Sequence, residues 1–282
     1  MVSSEQPALL GARRLREILA SHDIRPTKAL GQNFVVDPNT IRKVLQVARV
    51  DPDDRVLEIG AGAGSLTLGL TAAAAAVVAV EVDPRLTEVL KETLAGVANV
   101  EVIQADALTA SLTDLRANKL VANLPYNIAV PVVLRVLETA PQIGELVVMT
   151  QREVGERLVA GPGSKTYGQV SVMVAYFGRA TLAAKISRRA FWPVPNVDSV
   201  LVRIVRRDPP DISPERLFPV IRAAFAHRRK TLRNNLAAVA GPDPGALLAA
   251  AGVDPGGRAE QLDLAEFISI AKGLPARPLT KD

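Results

Sequence analysis

The segment RVLEIGAGAG, residues 55–64, carries the strongest indication of the fold class. Its first half is a short apolar run, which is typical of a strand buried on both faces of a parallel sheet. The glycines that follow let the backbone turn sharply and approach a ligand, and the amides that open the next helix supply hydrogen-bond donors. The order strand, glycine loop, helix therefore predicts the ligand-binding turn of an α/β sheet.

The spacing of these glycines, G-x-G-x-G, differs from the dinucleotide fingerprint G-x-G-x-x-G, because the third glycine comes one position early. By itself the loop leaves three interpretations open: a site for NAD, a site for S-adenosylmethionine, or a tight turn with no ligand. Residues farther along the chain are needed to separate them.

Strands and helices alternate after this loop. Four further runs resemble the first strand, at residues 76–82, 100–105, 119–122 and 145–150. Helix-like segments at 84–95 and 129–139 lie among them, and this alternation predicts a doubly wound, mostly parallel sheet. Two later runs, 171–177 and 199–205, have no long helix between them. They predict an antiparallel hairpin at one edge, which brings the sheet to seven strands.

The character of the sequence changes after residue 207. A proline-rich linker, Asp208–Asp211, is followed by helix-like segments at 214–226, 230–239, 244–251 and 264–272. Glycine and proline separate these segments. We therefore expect an α/β domain over 1–207, with a helical segment over 1–50 ahead of the first strand, and a small all-helical domain over 208–282.

The composition excludes several classes of protein. Hydrophobic residues make up 48% and charged residues 22%, unlike a disordered chain. There is no cysteine, which excludes a disulfide scaffold, a thiol nucleophile and a cysteine-ligated zinc site, and a reducing cytoplasm is expected. Neither a long apolar run nor a signal-peptide pattern is present, so no membrane association is expected. His22 and His227 lie next to no motif; we expect both at the surface, and no metal.

Two acidic residues follow strands of the predicted sheet. Glu81 ends the second strand, where a carboxylate can accept both ribose hydroxyls of an adenosyl group bound over the glycine loop. Asp106 follows the third strand, where a carboxylate can accept from the adenine amino group, although a helix N-cap is an alternative role. Ligands bind at these carboxyl ends of strands in open α/β sheets. A nucleoside-bearing cofactor is indicated, with NAD and S-adenosylmethionine both still open.

The loop Asn123-Leu124-Pro125-Tyr126 follows the fourth strand at the same edge. The amino nitrogen of adenine is a weak nucleophile, because its lone pair is delocalised into the ring. Two acceptors, the Asn123 side-chain oxygen and the Pro125 carbonyl, can hold its N–H groups and aim the lone pair at a methyl donor. Tyr126 offers a ring on which an extruded base can stack. Hydride transfer needs no such loop, so the motif favours S-adenosylmethionine-dependent methylation of adenine N6 over a dehydrogenase.

Positive charge is concentrated in the helical region. The net charge is +5, and the stretch 216–233 holds six cationic side chains and no acid. Five of them are expected to contact RNA phosphates: Arg222, Arg228, Arg229, Lys230 and Arg233. A solvated helix face is the alternative interpretation of the Arg228–Lys230 cluster.

Several segments together resemble one known family. Besides the glycine loop they are KALGQNF (28–34), EVDPRL (81–86), NLPYNI (123–128), QREV (151–154), FWPVPNVDS (191–199) and FAHRRKTLRNNL (225–236). They are similar to the KsgA-type 16S ribosomal RNA adenine N6,N6-dimethyltransferases, over nearly the whole chain. The resemblance implies two methyl transfers to each of two adjacent adenosines in the 3′-terminal hairpin loop of 16S rRNA. It also implies a role in late maturation of the small ribosomal subunit.

The resemblance implies site residues as well. Cofactor contacts fall on Gln32, Asn33, the backbone at Val35, Gly60, Gly62, Glu81, Asp106 and Asn123. The target amine is held by Asn123 and Pro125, and the target base stacks on Tyr126 and Phe191. Val35 stands where the family often has leucine, which a backbone contact tolerates. Trp192 stands where a smaller or polar residue is expected.

Three other functions compete with this one. A 23S rRNA methyltransferase of the macrolide-resistance type shares the glycine loop and an N-x-P-[YF] loop, but the full helical domain and the FWPVPNVDS segment favour the first interpretation. A DNA N6-adenine methyltransferase is disfavoured because no large target-recognition domain is evident. A non-catalytic nucleic-acid-binding assembly or transcription factor is disfavoured by the intact set Gly60, Glu81, Asp106 and Asn123. No heptad pattern or long apolar edge indicates a dimer, so a monomer is expected.

Overall fold

The computed structural model describes residues 9–26 and 32–275, which form two compact units. The first unit runs up to Glu156 and also takes Ala180–Arg206. The second consists of Arg157–Arg179 and the chain from Arg207 onward. The longer segment of the second unit begins at Arg207, next to the boundary between 207 and 208 expected from the sequence. The same unit also includes residues 157–179, which the sequence did not indicate. Residues 28–31 of the KALGQNF segment lie outside the described residues, as does the end of the chain after 275.

The described residues form nine strands. In chain order they are β1 Phe34–Val35, β2 Arg55–Ile59, β3 Ala76–Glu81, β4 Val100–Gln104, β5 Lys119–Asn123, β6 Glu145–Gln151, β7 Gly178–Ile186, β8 Phe191–Trp192 and β9 Ser199–Arg206. Seven form one sheet in the order β4-β3-β2-β5-β6-β9-β7, and β1 pairs with β8 in a separate ribbon. Neighbours from β4 to β6 are parallel, and β9 runs antiparallel to β6. The predicted doubly wound, mostly parallel, seven-stranded sheet is confirmed.

The helices predicted at 84–95, 129–139, 214–226, 244–251 and 264–272 are present with bounds that differ by at most two residues. The full set in the described residues is larger. It consists of α1 Ala12–Ser21, α2 Pro38–Ala48, α3 Ser65–Thr71, α4 Pro84–Thr93, α5 Ala129–Thr139, α6 Arg152–Val159, α7 Gln169–Phe177, α8 Pro214–Ala224, α9 Leu232–Leu236, α10 Pro244–Ala250 and α11 Leu264–Gly273. None of these described helices is long and apolar enough to cross a bilayer.

The strand order places a ligand site at β2. This strand pairs with β3 on one side and β5 on the other, so the direction of winding reverses beside it. At such a switch point the loops after neighbouring strands separate and leave a crevice at the carboxyl edge of the sheet. The glycine loop, Glu81 and Asn123 all lie at the carboxyl ends of these three strands.

Apolar packing holds this edge in place. One core cluster joins α2 and α3 to the sheet through Ile41, Leu70 and Val121, and another joins α4 to it through Leu90 and Ala79. Removing a side chain of this size from water stabilises a fold by about 1.5–3 kcal/mol. The apolar residues that predicted the strands therefore also pack against the helices and hold the walls of the crevice in position.

The start of α2 is set by Asp37. Its carboxylate accepts the N–H groups of Asn39 and Thr40, both at 3.1 Å, and Pro38 occupies the first helical position. Proline is tolerated there because that N–H has no partner within a helix. The irregular loop ahead of this helix therefore ends at a defined point, directly after β1.

One predicted strand is wrong. Residues 171–177 belong to α7, and the strand that lies beside β9 is β7, residues 178–186. The run VSVMVAYF is apolar at almost every position, and Val172, Met173 and Val174 are all buried. A short run buried on all sides has no periodicity that separates a helix from a strand. β7 is mostly exposed, so its sequence carries little apolar signal.

The second unit is helical and has an aromatic core. Tyr176 and Phe177 of α7 meet Phe218 of α8 edge to face, with ring centroids 5.4 and 5.8 Å from Phe218. The helix predicted over 230–239 is shorter, because α9 covers only Leu232–Leu236. Residues 228–230 consequently lie in the turn between α8 and α9, not on a helix.

Candidate active site

A cavity of about 240 Å³ opens at the carboxyl edge of the sheet. It lies within the first unit and is lined by residues from 32–35, 58–66, 81–86, 106–108 and 123–128. The structure brings all eight residues expected to contact the cofactor to this cavity: Gln32, Asn33, Val35, Gly60, Gly62, Glu81, Asp106 and Asn123.

The glycine loop requires glycine at two positions that face this cavity. Gly60 and Gly62 have φ of +75° and +58°, a region that side chains disfavour. A Cβ on Gly60 would lie 3.2 Å from the ring of Pro125, and one on Gly62 would lie 3.0 Å from the ring of Phe34. The loop thus packs its backbone directly against the two other segments that line the cavity.

Glu81 is held rigidly by three backbone amides. Its Oε2 accepts the N–H of Gly62 at 2.8 Å, and its Oε1 accepts those of Val82 and Asp83 at 2.9 and 3.0 Å. Burial raises the pKa of this carboxyl, and the three amides act in the opposite direction. The glycine loop and the acid at the end of β3 therefore form one hydrogen-bonded unit.

Asp106 is exposed at the rim of the cavity. Its Oδ1 accepts the N–H of Leu108 at 2.8 Å, and its backbone carbonyl accepts the amides of Thr109 and Ala110. These bonds close a turn; no helix begins at this residue. The carboxylate lines the wall, where it can meet a ligand that also contacts Glu81.

The NLPY loop is anchored on both sides. The Nδ2 of Asn123 donates to the backbone carbonyl of Asn33 at 2.9 Å. The hydroxyl of Tyr126 lies 3.0 Å from the Oγ of Ser199, which is fully buried at the start of β9. Burial raises the pKa of Tyr126, so its phenol is neutral near pH 7. The loop joins β5, the β1 segment and β9.

The structure does not bring Phe191 to the cavity wall. In the ribbon, Phe191 pairs with Val35, and Trp192 pairs with Phe34. Phe191 is only 1% exposed and belongs to the same core cluster as Ile41, so its ring offers no face to a ligand in this conformation. The FWPVPNVDS segment is thus tied to the β1 segment through the backbone.

The charges around the cavity discriminate between the two cofactors. Four carboxyl groups line it, those of Glu58, Glu81, Asp83 and Asp106, and no Lys, Arg or His is among the described lining residues. The pyrophosphate of NAD would find no cationic partner among these residues, and the acids that are ionised there would repel it. S-adenosylmethionine carries a sulfonium and an ammonium group and suits it.

The expected RNA-binding cations lie in the second unit, and all five are exposed: Arg222, Arg228, Arg229, Lys230 and Arg233. Asn235 shapes the turn that carries three of them. Its Nδ2 donates to the carbonyls of Ala224 and His227 at 2.6 and 3.1 Å. Arg228 lies 3.8 Å from Glu260, an acid that the linear stretch did not reveal.

Three positions at the cavity or in contact with its lining residues had no contact predicted from the sequence. Glu58 is part of the glycine motif, and Ser199 is the last residue of FWPVPNVDS, yet neither residue type in those places indicates a specific contact. The backbone carbonyl of Asn33 carries no sequence signal at all. In each case the contact depends on how distant segments meet, which only the structure shows.

The sheet order, the acid-lined crevice at its switch point and the Asn-Leu-Pro-Tyr loop beside it define a Rossmann-like methyltransferase that uses S-adenosylmethionine. Residues 25–275 match the family model described as ribosomal RNA adenine dimethylase, and the chain belongs to that family. It is an S-adenosylmethionine-dependent enzyme of that family.

Relatives and solved structures agree with this membership. The chain is 50% identical to the ribosomal RNA small subunit methyltransferase A of Leifsonia xyli subsp. xyli, over 93% of this chain and 98% of the relative. It is 48% identical to that of Thermobifida fusca, over 96% and 98%. Its fold is similar to a dimethyladenosine transferase from Plasmodium falciparum, with a TM-score of 0.74 and 26% identity over 83% of this chain and 94% of the other. It is also similar to the 23S rRNA methyltransferase ErmE, with a TM-score of 0.65 and 30% identity over 86% and 99%.

Proposed function

We propose that this protein dimethylates N6 of two adjacent adenosines in the 3′-terminal hairpin loop of 16S rRNA, acting on the small ribosomal subunit late in its maturation. The observation that carries the proposal is the orientation of Asn123 at the edge of the cavity. The name shared by the curated relatives, and their similarity over nearly the whole chain, support the small subunit as the substrate.

Asn123 is proposed to hold the target amine. Because its Nδ2 is committed to the carbonyl of Asn33, its Oδ1 is left to accept one N–H of the adenine amino group. A second acceptor on the other N–H draws the nitrogen toward a pyramidal geometry and exposes its lone pair. When bound, S-adenosylmethionine supplies an electrophilic methyl group. The proton that the nitrogen then loses passes to water, so no strong general base is required.

For the second acceptor we propose the carbonyl of Pro125. It also accepts the N–H of Ile128 at 3.1 Å, and one of its two lone pairs remains for the target amine. The carbonyl of Leu124, one residue earlier in the same loop, is the alternative acceptor. Either carbonyl would orient the amine so that its lone pair points at the methyl donor, and orientation of this kind is the main source of rate enhancement in such a site.

Tyr126 is proposed to stack on the target base. Its hydroxyl lies within hydrogen-bond distance of Ser199, which holds the far end of the side chain in place, and Tyr126 lines the cavity. Stacking of a base on an aromatic ring contributes about 1–3 kcal/mol. A stacking role for Phe191 requires its buried ring to become exposed when RNA binds.

The cofactor contacts are proposed for the residues that meet at the cavity. Glu81 would accept from the ribose, Asp106 from the adenine amino group, and Gly60 with Gly62 would line the methionine end. The segment Gln32 to Val35 lines the same cavity. Glu81 suits the ribose because three amides orient its carboxylate while occupying three of its roughly four acceptor positions, which leaves one acceptor position on Oε2.

RNA contacts are proposed for the exposed cations of the second unit. The turn at 228–230 presents three positive charges within three residues, and Arg222 and Arg233 flank it on α8 and α9. Phosphate contacts of this kind fix the position of the RNA without reading its sequence. We further propose that the protein acts in the cytoplasm, as a monomer.

A methyl-transfer assay with defined substrates tests the proposal. The protein is incubated with methyl-labelled S-adenosylmethionine and with unmethylated 30S particles, 50S particles or duplex DNA. Label confined to 30S particles is expected. Label confined to 50S particles would favour the 23S enzymes, to which the fold is also similar, and would contradict the proposal.

A further inference from the structure

Glu58 is a buried carboxyl group in the wall of the cavity. It lies on β2, two residues ahead of Gly60, and only 1% of it is exposed. Its Oε2 has no hydrogen-bond partner among the described residues. A buried carboxylate without a partner is strongly unfavourable, and such a group takes up a proton instead.

The groups around Glu58 supply no positive charge in the described part of the chain. From α3 comes the hydroxyl of Thr67, from β3 the carboxyl of Glu81, and from β5 the buried apolar residues 120–122. Burial raises the pKa of Glu58 to about 8; the charge of Glu81 acts in the same direction and Thr67 in the opposite one. The ligand-free site therefore holds this group uncharged near neutral pH.

We propose that Glu58 is a further cofactor-binding residue, which is an uncharged acid in the ligand-free protein and ionises when the ammonium group of the cofactor enters, releasing one proton to solvent. In this step the O–H bond breaks, the electron pair stays on the carboxylate, and the proton passes to water. The inference rests on the proposed cofactor site, since Gly60 at the end of the same strand is proposed to line the methionine end of the ligand.

Coupling of this kind has a defined pH dependence. The bound state requires ionised Glu58, so cofactor affinity should rise by up to about tenfold per pH unit between 6 and 7 as pH increases toward 8. It should fall again at higher pH, where the ammonium group of the ligand loses its proton. Asp83 and Asp106 line the same cavity and are acids as well. Asp83 is paired with Arg85, which holds its pKa below the usual value, and it stays ionised over this range.

Titration calorimetry of the full chain at pH 7, in buffers of different ionisation enthalpy, measures the proton directly. S-adenosylhomocysteine keeps the ammonium group and lacks the transferable methyl, so binding can be followed without turnover. Nearly one proton released per ligand is expected. 5′-Methylthioadenosine, which lacks the amino-acid portion, is expected to release none.

Two variants complete the test. Glu58→Gln has the shape of the uncharged acid and should fold, bind S-adenosylhomocysteine at least about tenfold more weakly at pH 8, and release no proton. Glu101→Gln, which changes an exposed carboxyl on β4, should release the same amount as the unmodified protein. Release that persists in Glu58→Gln, or tight binding with no release in the unmodified protein, would overturn the assignment to Glu58 alone. Failure of the unmodified protein to bind the ligand would instead overturn the proposed cofactor site, and this inference with it.

Discussion

Asn123 and Asn33 lie 90 positions apart in the sequence and are joined by one hydrogen bond, in which the Nδ2 of Asn123 donates to the backbone carbonyl of Asn33 at 2.9 Å. The bond ties the loop after β5 to the segment ahead of α2. It also fixes which end of the Asn123 amide faces the target, because the donor is already used. The residue proposed to hold the amine and the segment proposed to contact the cofactor are thus positioned together.

Replacing Asn123 tests this relationship. Asn123→Ala is expected to reduce methyl transfer at least about 100-fold, since an oriented acceptor of this kind acts mainly in the transition state. Cofactor affinity, measured by calorimetry with S-adenosylhomocysteine, should fall by much less than the rate, because Asn123 is one of eight residues expected to contact the cofactor. Asn123→Asp keeps an acceptor but loses the donor to Asn33, so it should also be slow. Full turnover by Asn123→Ala would show that the proposed mechanism is wrong.

Ser199 is expected to act through Tyr126. Ser199→Ala removes the hydrogen-bond partner of the Tyr126 hydroxyl. Because a neutral hydrogen bond contributes about 1 kcal/mol, its loss is expected to raise the KM for the RNA roughly fivefold. Tyr126→Phe should behave similarly, and the double variant should be no worse than either single one. Ser164→Ala, which removes a hydroxyl that donates to the carbonyl of Gly161, serves as the serine control. Additive effects of the two substitutions would contradict the coupling.

Neutralising the turn at 228–230 should weaken RNA binding. Replacing Arg228, Arg229 and Lys230 by glutamine is expected to reduce the slope of log affinity against log salt by about 2, as each lost phosphate contact contributes about 0.7–0.9. Cofactor affinity should not change. Lys272→Gln removes a cation from another exposed position of the same unit and is expected to leave the slope nearly unchanged. An unaltered slope for the triple variant would show that these three cations form a solvated surface and do not contact RNA.

The amino end of β5 carries a buried ion pair whose loss should destabilise the fold. Lys119 Nζ lies 2.6 Å from Asp54 Oδ2, and both side chains are about 90% buried. Lys119→Met leaves Asp54 as a buried charge without its partner, at a cost of about 3–5 kcal/mol in the free energy of unfolding, measured by urea denaturation. Asp54→Asn in the same background should recover part of this loss. A change below about 1 kcal/mol would contradict the assigned role.

The same pair predicts how stability depends on pH. Burial tends to raise the pKa of Asp54, but its hydrogen bonds from Lys119, Asp51 and Asn118 outweigh this and hold the pKa below its usual value. The stabilisation is therefore fully present above the pKa of the unfolded chain, about 3.9, and is lost as pH falls through the lower folded value. The free energy of unfolding should therefore fall less on acidification in the double variant Asp54→Asn/Lys119→Met than in the unmodified protein.

Most of the sheet could be predicted because each buried parallel strand is a continuous apolar run. The prediction at 171–177 was wrong for the same reason: α7 is buried on nearly all sides, and a run of Val and Met shows no helical period there. β7 was missed because an exposed edge strand has no apolar pattern. The position of 228–230 on a turn was missed because α9 begins only at Leu232.

The candidate site was predictable wherever one residue type carries the chemistry. Glu81 and Asn123 lie at the strand ends where the sequence placed them, and the cavity joins them. The bonds from Asn123 to Asn33 and from Tyr126 to Ser199 could not be predicted, because both depend on how distant segments meet. The burial of Phe191 was likewise not visible in its motif, since a phenylalanine can equally line a pocket or fill a core.

The most direct measurement is the chemical identity of the product. Small ribosomal subunits that lack this modification are incubated with the protein and S-adenosylmethionine, and their 16S rRNA is digested and mapped by mass spectrometry. The proposed function predicts N6,N6-dimethyladenosine at two adjacent positions of the 3′-terminal hairpin loop, and none with Asn123→Ala. Methyl groups found on another atom or another base, or the same product from Asn123→Ala, would contradict it.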